Sequence, residues 1–378
     1  MMIHDDKLLG PGGGKGLVVH GTRWPERIRP PQTMLMFQHF HLPLLLFLSA
    51  CPTTTGSTQL YGIIRDKNSP TCSGALSGCS NLVTINPTNG TVSKIGMGHT
   101  TLAAVGDLAQ IDTTHDIYYY LGDGWNGTGT LLIALDLNTG HELCATNLND
   151  KIKTVGIVGG GQSLTILNNT IVVTGLSSGS GPHVILVAPL ATNGCPVFQS
   201  TGSFPYSGTL PVAHSTTADE TFHLYSTVAT SPHAYGIDII DLKTGGLNQT
   251  IPMTGNTKEL WSLTYDNGYL VGPAEDGLGH LEWRTLDVGS GQWTSRPLQY
   301  SNKSVVWNNL WGNLGSIRSY NSKTQELHVL VSQGRSEKIH VATIDVRTGT
   351  MNDDTVVLLN GDLGYSSEVL MHMVGVEN

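Results

Sequence analysis

The chemistry this chain could perform is spread thinly along it. Asp107, Gln162, His214, Trp261, Asn313 and Glu368 each stand just before, or at the start of, an apolar stretch. Gathered around one axis they would supply two carboxylates, two carboxamides and an imidazole. Such a set could hold a divalent cation such as calcium through oxygen ligands. One carboxylate could then take the proton of a metal-bound water and drive hydrolysis. A second bias is aromatic. Five of the seven tryptophans (Trp261, Trp283, Trp293, Trp307 and Trp311) fall within 51 residues. In Trp307-Asn308-Asn309-Leu310-Trp311 the ring faces could stack on sugars while the amides of Asn308 and Asn309 bond their hydroxyls. No compact catalytic motif accompanies these residues. His214, His223 and His233 lie 9 and 10 residues apart, which is not a zinc-ligand spacing, and neither a GxSxG elbow nor a GxxxxGK[ST] loop occurs. Gly159-Gly160-Gly161 precedes a strand pattern rather than a helix, so it reads as a loop at a rim and not as a phosphate cradle.

The elements that must position these residues repeat six times. A short apolar strand runs to Asp or Asn, a turn follows, and the turn ends in Gly90, Gly140, Gly194, Gly245, Gly291 or Gly349. The spacings are 50, 54, 51, 46 and 58 residues. A period of this size built of strands predicts an all-β six-bladed propeller of four-stranded antiparallel blades. Aliphatic and branched residues favour the strand, the acid bonds turn amides, and the glycine accepts a positive φ. Asp136, Asp241 and Asp345 are therefore read as turn formers rather than catalysts. Upstream of five of these units lies a second strand pair, joined by signals such as Asp266-Asn267-Gly268 and Asn168-Asn169. The first unit lacks its inner strand, while the chain ends in the unpaired apolar run Val369–Val374. That tail is expected to pair into the first blade and close the ring, which removes an exposed edge. Asp107, Gln162, His214, Trp261, Asn313 and Glu368 would then surround the mouth of the central channel. Trp283 and Trp293 are expected to pack between blades.

Leu132-Ile133-Ala134-Leu135-Asp136-Leu137-Asn138-Thr139-Gly140 fits LxALDxxTG and resembles the repeats of quinoprotein-type propellers. The resemblance covers the repeat framework and implies the fold. The Trp that often follows the turn in those repeats is approached only at Gly291-Gln292-Trp293, so no cofactor residue is carried over. Six-bladed lactonases use a metal at the channel, and a calcium-dependent lactonase-like or quinoprotein-like enzyme is the alternative reading.

Composition narrows the partners. Charged residues make up 13% of the chain, glycine 46 of 378 residues, and the net charge is −9 with 20 Lys and Arg. Without a basic stripe in the repeats, nucleic acid and anionic membranes are poor partners. Residues 1–33 read as a disordered or untranslated extension, and 34–57 as a signal peptide and linker whose apolar core is Leu42–Ala50, too short to span a bilayer. The start could be Met1, Met34 or Met36. Leu48-Ser49-Ala50-Cys51 also resembles a lipobox, which would place a lipid anchor on Cys51 in a bacterium. Residues 58–378 form the propeller. Cys72 with Cys79, and Cys144 with Cys195, are the expected disulfides of an oxidising compartment. Asn89, Asn126, Asn168, Asn248 and Asn302 stand in N-x-S/T sequons. The sequence thus predicts a secreted glycoprotein that binds an extracellular protein or glycan, without catalysis.

Overall fold

A computed structural model describes residues 58–66, 79–99, 102–103, 108–123, 130–152, 163–176, 182–204, 216–231, 234–254, 260, 262–275, 281–300, 318–331, 340–356 and 368–376. All belong to one compact unit, Thr54–Asn378; the other, Met1–Thr53, lies outside the described residues. The extension, the signal segment, Cys51 and the candidate starts therefore also lie outside them.

Six antiparallel sheets follow one another along the chain. Blade 1 holds β1 (Gln59–Asp66), β2 (Cys79–Ile85) and β3 (Val92–His99). Blade 2 holds β4 (Leu102–Ala103), β5 (Ala109–Asp112), β6 (Ile117–Asp123), β7 (Thr130–Asp136) and β8 (Glu142–Asn147), with β4 and β5 both pairing with β6. Blade 3 is β9 (Ser163–Leu167), β10 (Thr170–Leu176), β11 (His183–Pro189) and β12 (Gln199–Phe204). Blade 4 is β13 (Thr216–Ala218), β14 (His223–Ser231), β15 (Ala234–Asp241) and β16 (Gly246–Pro252). Blade 5 is β17 (Thr264–Asp266), β18 (Tyr269–Glu275), β19 (Leu281–Asp287) and β20 (Gln292–Pro297). After β21 (Gln299–Tyr300), blade 6 is β22 (Arg318–Asn321), β23 (Glu326–Val331), β24 (His340–Asp345) and β25 (Thr350–Val356). The chain closes with β26 (Glu368–Val376), antiparallel to β1 from Gln59↔Val376 to Asp66↔Glu368. The C-terminal strand is thus the missing inner strand of blade 1, as the sequence predicts. β21 was not foreseen: it adds in parallel to the outer edge of blade 6, Gln299↔Thr350 and Tyr300↔Met351.

The core lies between blades. Alternating strand residues send one side chain to each neighbour, so apolar clusters form at the seams. Tyr119, Leu121 and Leu132 of blade 2 meet Ile171, Val173 and Leu186 of blade 3. Tyr118 and Tyr120 meet Ile63 and Leu82 of blade 1. Trp283 is buried between blades 5 and 6, and Trp293 packs partly buried between blades 4 and 5, its Nε1 donating to Pro252 O at 3.0 Å.

All six turn glycines have positive φ, between 62° and 72°. Four of these turns, at Gly140, Gly194, Gly245 and Gly349, also press on the blade before them, whereas Gly291 faces open space. A Cβ on Gly245 would meet Gly202 Cα at 2.6 Å, and one on Gly349 would meet Trp283 Cγ at 2.6 Å. At those four positions the glycine is therefore both a turn residue and a blade–blade spacer. Five of the six outer strand pairs carry a bulge nearby, which twists the strand and interrupts the exposed edge.

Cys144 of β8 is bonded to Cys195 of the outer turn of blade 3, with Cα atoms 5.4 Å apart and a sequence separation of 51. The predicted pair is thus a staple between two blades at the rim. Cys79 is also disulfide-bonded, while its expected partner Cys72 lies outside the described residues. Closing a loop of that length constrains the unfolded chain by about 4 kcal/mol in the chain-entropy account. A Cys144→Ser/Cys195→Ser variant is expected to lose stability of that order, read by equilibrium guanidinium titration as a lower midpoint with a somewhat steeper slope, since the unfolded chain is no longer cross-linked. A midpoint equal to wild type would show that the blades hold each other without it.

Candidate functional site

Antiparallel strands alternate direction, so the connections sort into two faces. The inner turns (113–116, 168–169, 219–222, 267–268, 322–325) and the six outer turns leave from one face. At the other face the second strands end and the third begin, and there too each outer strand ends and the inner strand of the next blade begins.

The turn face is described in atomic detail, and its acids are committed to holding it. Asp136 Oδ1 accepts from the Thr139 hydroxyl at 2.8 Å and from the amides of Asn138 and Thr139 at 3.0 and 2.7 Å. The Thr139 hydroxyl, with these amides, holds its pKa below the usual carboxylate value. Amide donors act likewise on Asp241, chiefly from Lys243, and on Asp287, chiefly from Ser290. At Asp345 burial pushes upward, but the Arg347 side chain and the amides of Arg347 and Thr348 outweigh it. The turn-forming role assigned to Asp136, Asp241 and Asp345 is what the structure contains.

A second ring of such groups sits nearer the axis, at the inner turns. Asp112 accepts the amides of Thr114 and His115, and its Oδ2 lies 2.6 Å from His115 Nδ1. Asp219 accepts from the amides of Thr221 and His223, the Thr221 hydroxyl and the Tyr225 hydroxyl, the last at 2.7 Å. Burial raises its pKa, yet these donors leave it lowered overall. Asp266 accepts the Tyr320 hydroxyl at 2.8 Å and Gln325 Nε2 at 3.2 Å, which ties blade 5 to blade 6. Tyr225 stacks on Tyr265 of the next blade with centroids 5.5 Å apart. Asp112 and Asp219 thus hold their own inner turns, and Asp266 links two blades. Sequence reading missed the ring; its signal was an Asp or Asn at or just after the end of β5, β9, β13, β17 and β22. Among the described residues, no three His, Cys, Asp or Glu side chains are grouped to hold a metal ion.

Asp107, Gln162, His214, Trp261 and Asn313 lie outside the described residues, as do Trp307, Asn308, Asn309 and Trp311. The inner strands that follow the first five are in place as β5, β9, β13, β17 and β22. Glu368 is the first residue of β26, in register with Asp66 at the end of β1. Of the sequon asparagines, Asn89, Asn168 and Asn248 are exposed, and Asn126 and Asn302 lie outside the described residues. Asn89 and Asn168 sit in turns, while Asn248 is the unpaired residue of the bulge between Gln249 and Leu247.

No protein-family model matches the chain, and no curated protein matches it in sequence. Solved structures do resemble its fold. The structure of TolB from Acinetobacter baumannii superposes with a TM-score of 0.52 at 10% identity, covering 85% of this chain and 67% of that one. A putative 6-phosphogluconolactonase from Bacteroides fragilis gives 0.44 at 13% identity, covering 86% and 99%. A puromycin hydrolase gives 0.43 at 14% identity, covering 72% and 41%. At these identities the likeness is one of fold.

Proposed function

We propose that the protein is a secreted glycoprotein that binds an extracellular protein or glycan through the face opposite its turns, and that it catalyses nothing. The observation that carries this reading is the inequality of the two faces. One is closed by short turns whose acids are spent on their own amides. The described strands that flank the longest connecting sequences end at the other, and loops set on a rigid frame are where recognition residues accumulate. Within those connections, Trp307, Asn308, Asn309 and Trp311 are the proposed sugar platform. The rim disulfide is compatible with an oxidising compartment outside the cytosol. Exposure of Asn89, Asn168 and Asn248 supports their glycosylation. In a bacterium, a lipid anchor at Cys51 would hold the exported protein at a membrane instead of releasing it.

The expected outcome is that a glycan array retains wild type and loses a Trp307→Ala/Trp311→Ala double variant by tenfold or more. Equal retention of both, or of neither, would remove the platform. The second reading, a calcium-dependent hydrolase, is favoured by the position of Glu368 at the start of the strand that closes the inner ring. Metal analysis and a lactone and ester panel separate the two. Stoichiometric calcium with activity abolished in Glu368→Gln would favour the enzyme.

A further inference from the structure

One seam of the ring differs from the rest. Leu327, Val329, Ala342 and Ile344 of blade 6 pack with Trp283 and Val271 of blade 5. The alternate residues of the same strands therefore face blade 1. There Ser319, His328 and Thr343 stand in register across β22, β23 and β24. Ser319 and His328 are 4% and 3% exposed. His328 Nδ1 lies 3.1 Å from Thr343 Oγ1, while His328 Nε2 and Ser319 Oγ are buried without a partner among the described residues. Ser319 Oγ presses against Gly375 of β26 so closely that a Cβ there would collide. Beside it Asn321 Nδ2 donates to Thr58 Oγ1 at 2.8 Å, just before β1. β26, which lies against this row, is also the one inner strand with no hairpin to its sheet neighbour, so it can leave without unthreading another blade.

We infer that the seam between blades 6 and 1 is an acid-released latch, in which protonation of buried His328 favours departure of β26 and opening of the ring. The inference is independent of what the other face binds. The groups around His328 decide its sign. Glu326 lies two residues along β23 and favours the charged ring; Asp345 stands in register with Glu326 and is paired with Arg347. Asp353 of β25 stands in register with Thr343. β22 offers Ser319 and Asn321, with Lys323 in the turn beyond. The polar residues that blade 1 brings to this seam are Thr58 and Asn81, while Asp66 and Glu368 stand in register at the far end of β1 and β26. Burial outweighs Glu326 and holds the imidazole below its ordinary 6.5. Once released it would take a proton near 6.5, so the open form binds the proton more tightly. Opening is therefore favoured as pH falls through that value, and the gain levels off below the folded pKa. Within the window the open-to-closed ratio rises by up to tenfold per pH unit.

The test is amide exchange of the full chain at pH 7.5, 6.5 and 5.5, corrected for intrinsic rates. The opening constant of β26 is expected to rise by up to about fivefold from 6.5 to 5.5, with β9 and β13 unchanged. In His328→Gln that pH dependence is expected to vanish. If β26 opens no more than β9 and β13 at any pH, or if His328→Gln keeps the wild-type dependence, the latch is excluded. Should the variant fail to fold, titration of the His328 ring protons in wild type decides: a value well below 6.5 agrees with the latch, and 6.5 or above overturns it.

Discussion

A chain ending at residue 367 is expected to lose cooperative folding altogether. Deleting 368–378 removes β26, and with it the ladder to β1 over the whole length from Gln59 to Asp66. It also removes the buried Met373 and uncovers the blade 6 face of β1, where Leu60 and Ile64 are fully buried. A propeller tolerates its sheets because closure leaves no long inner edge, and the truncated chain would present one along a row of apolar side chains. The measurement is thermal unfolding by circular dichroism, with size-exclusion chromatography. The expected result is no sigmoidal transition and a heterogeneous profile. A circular permutant that joins residue 376 to residue 58, with new ends in the 301–317 connection, is expected to fold, because every ladder is kept. A truncated chain with wild-type melting would remove ring closure from the account.

Replacing Gly245 by Ala is expected to destabilise the protein far more than replacing Gly291, although the two occupy equivalent turns. Their φ values are 72° and 69°, so the left-handed penalty of about 1–2 kcal/mol is common to both. A Cβ at Gly291 meets nothing within 4 Å, whereas one at Gly245 meets Gly202 Cα at 2.6 Å and other backbone atoms of the same residue at 3.2 Å. Backbone cannot rotate away as a side-chain tip can, so blades 3 and 4 must move apart. The difference between the two variants isolates the blade–blade contact from the turn strain. Denaturant midpoints measure it, and equal midpoints would show that the seam yields at little cost.

The repeat was legible because its determinants are local. A strand, an acid, a turn and a glycine leave their mark within ten residues, and each of the six glycines took the φ its position predicts. The unmatched tail was legible by elimination, since one blade lacked an inner strand. Cys144 and Cys195 were legible because each follows the turn of successive repeats, which places both on the rim of adjacent blades. What sequence reading missed depends on contacts between repeats. Asp266 and Tyr320 are bonded across blades, and nothing local in either residue announces the other. The pairing of Gln299 with Thr350 is parallel and non-local, so no hairpin signal marks it. The buried row of Ser319, His328 and Thr343 follows only from the register of three strands. For the channel-mouth residues and the Trp307–Asn313 segment, the structure supplies the strands that follow them, and the chemistry is carried by the proposal.

The most direct measurement is a comparison of the two faces in one binding assay. Residues 303–315 are replaced by a Gly/Ser linker in one variant, and Lys243 and Thr244 of an outer turn are changed to Ala in another. Both are probed with wild type on a glycan array and against immobilised extracellular proteins, after equal folding is verified by circular dichroism. The account predicts that the linker variant loses the wild-type ligand while the turn variant keeps it. Loss in the turn variant, with binding retained by the linker variant, would contradict it.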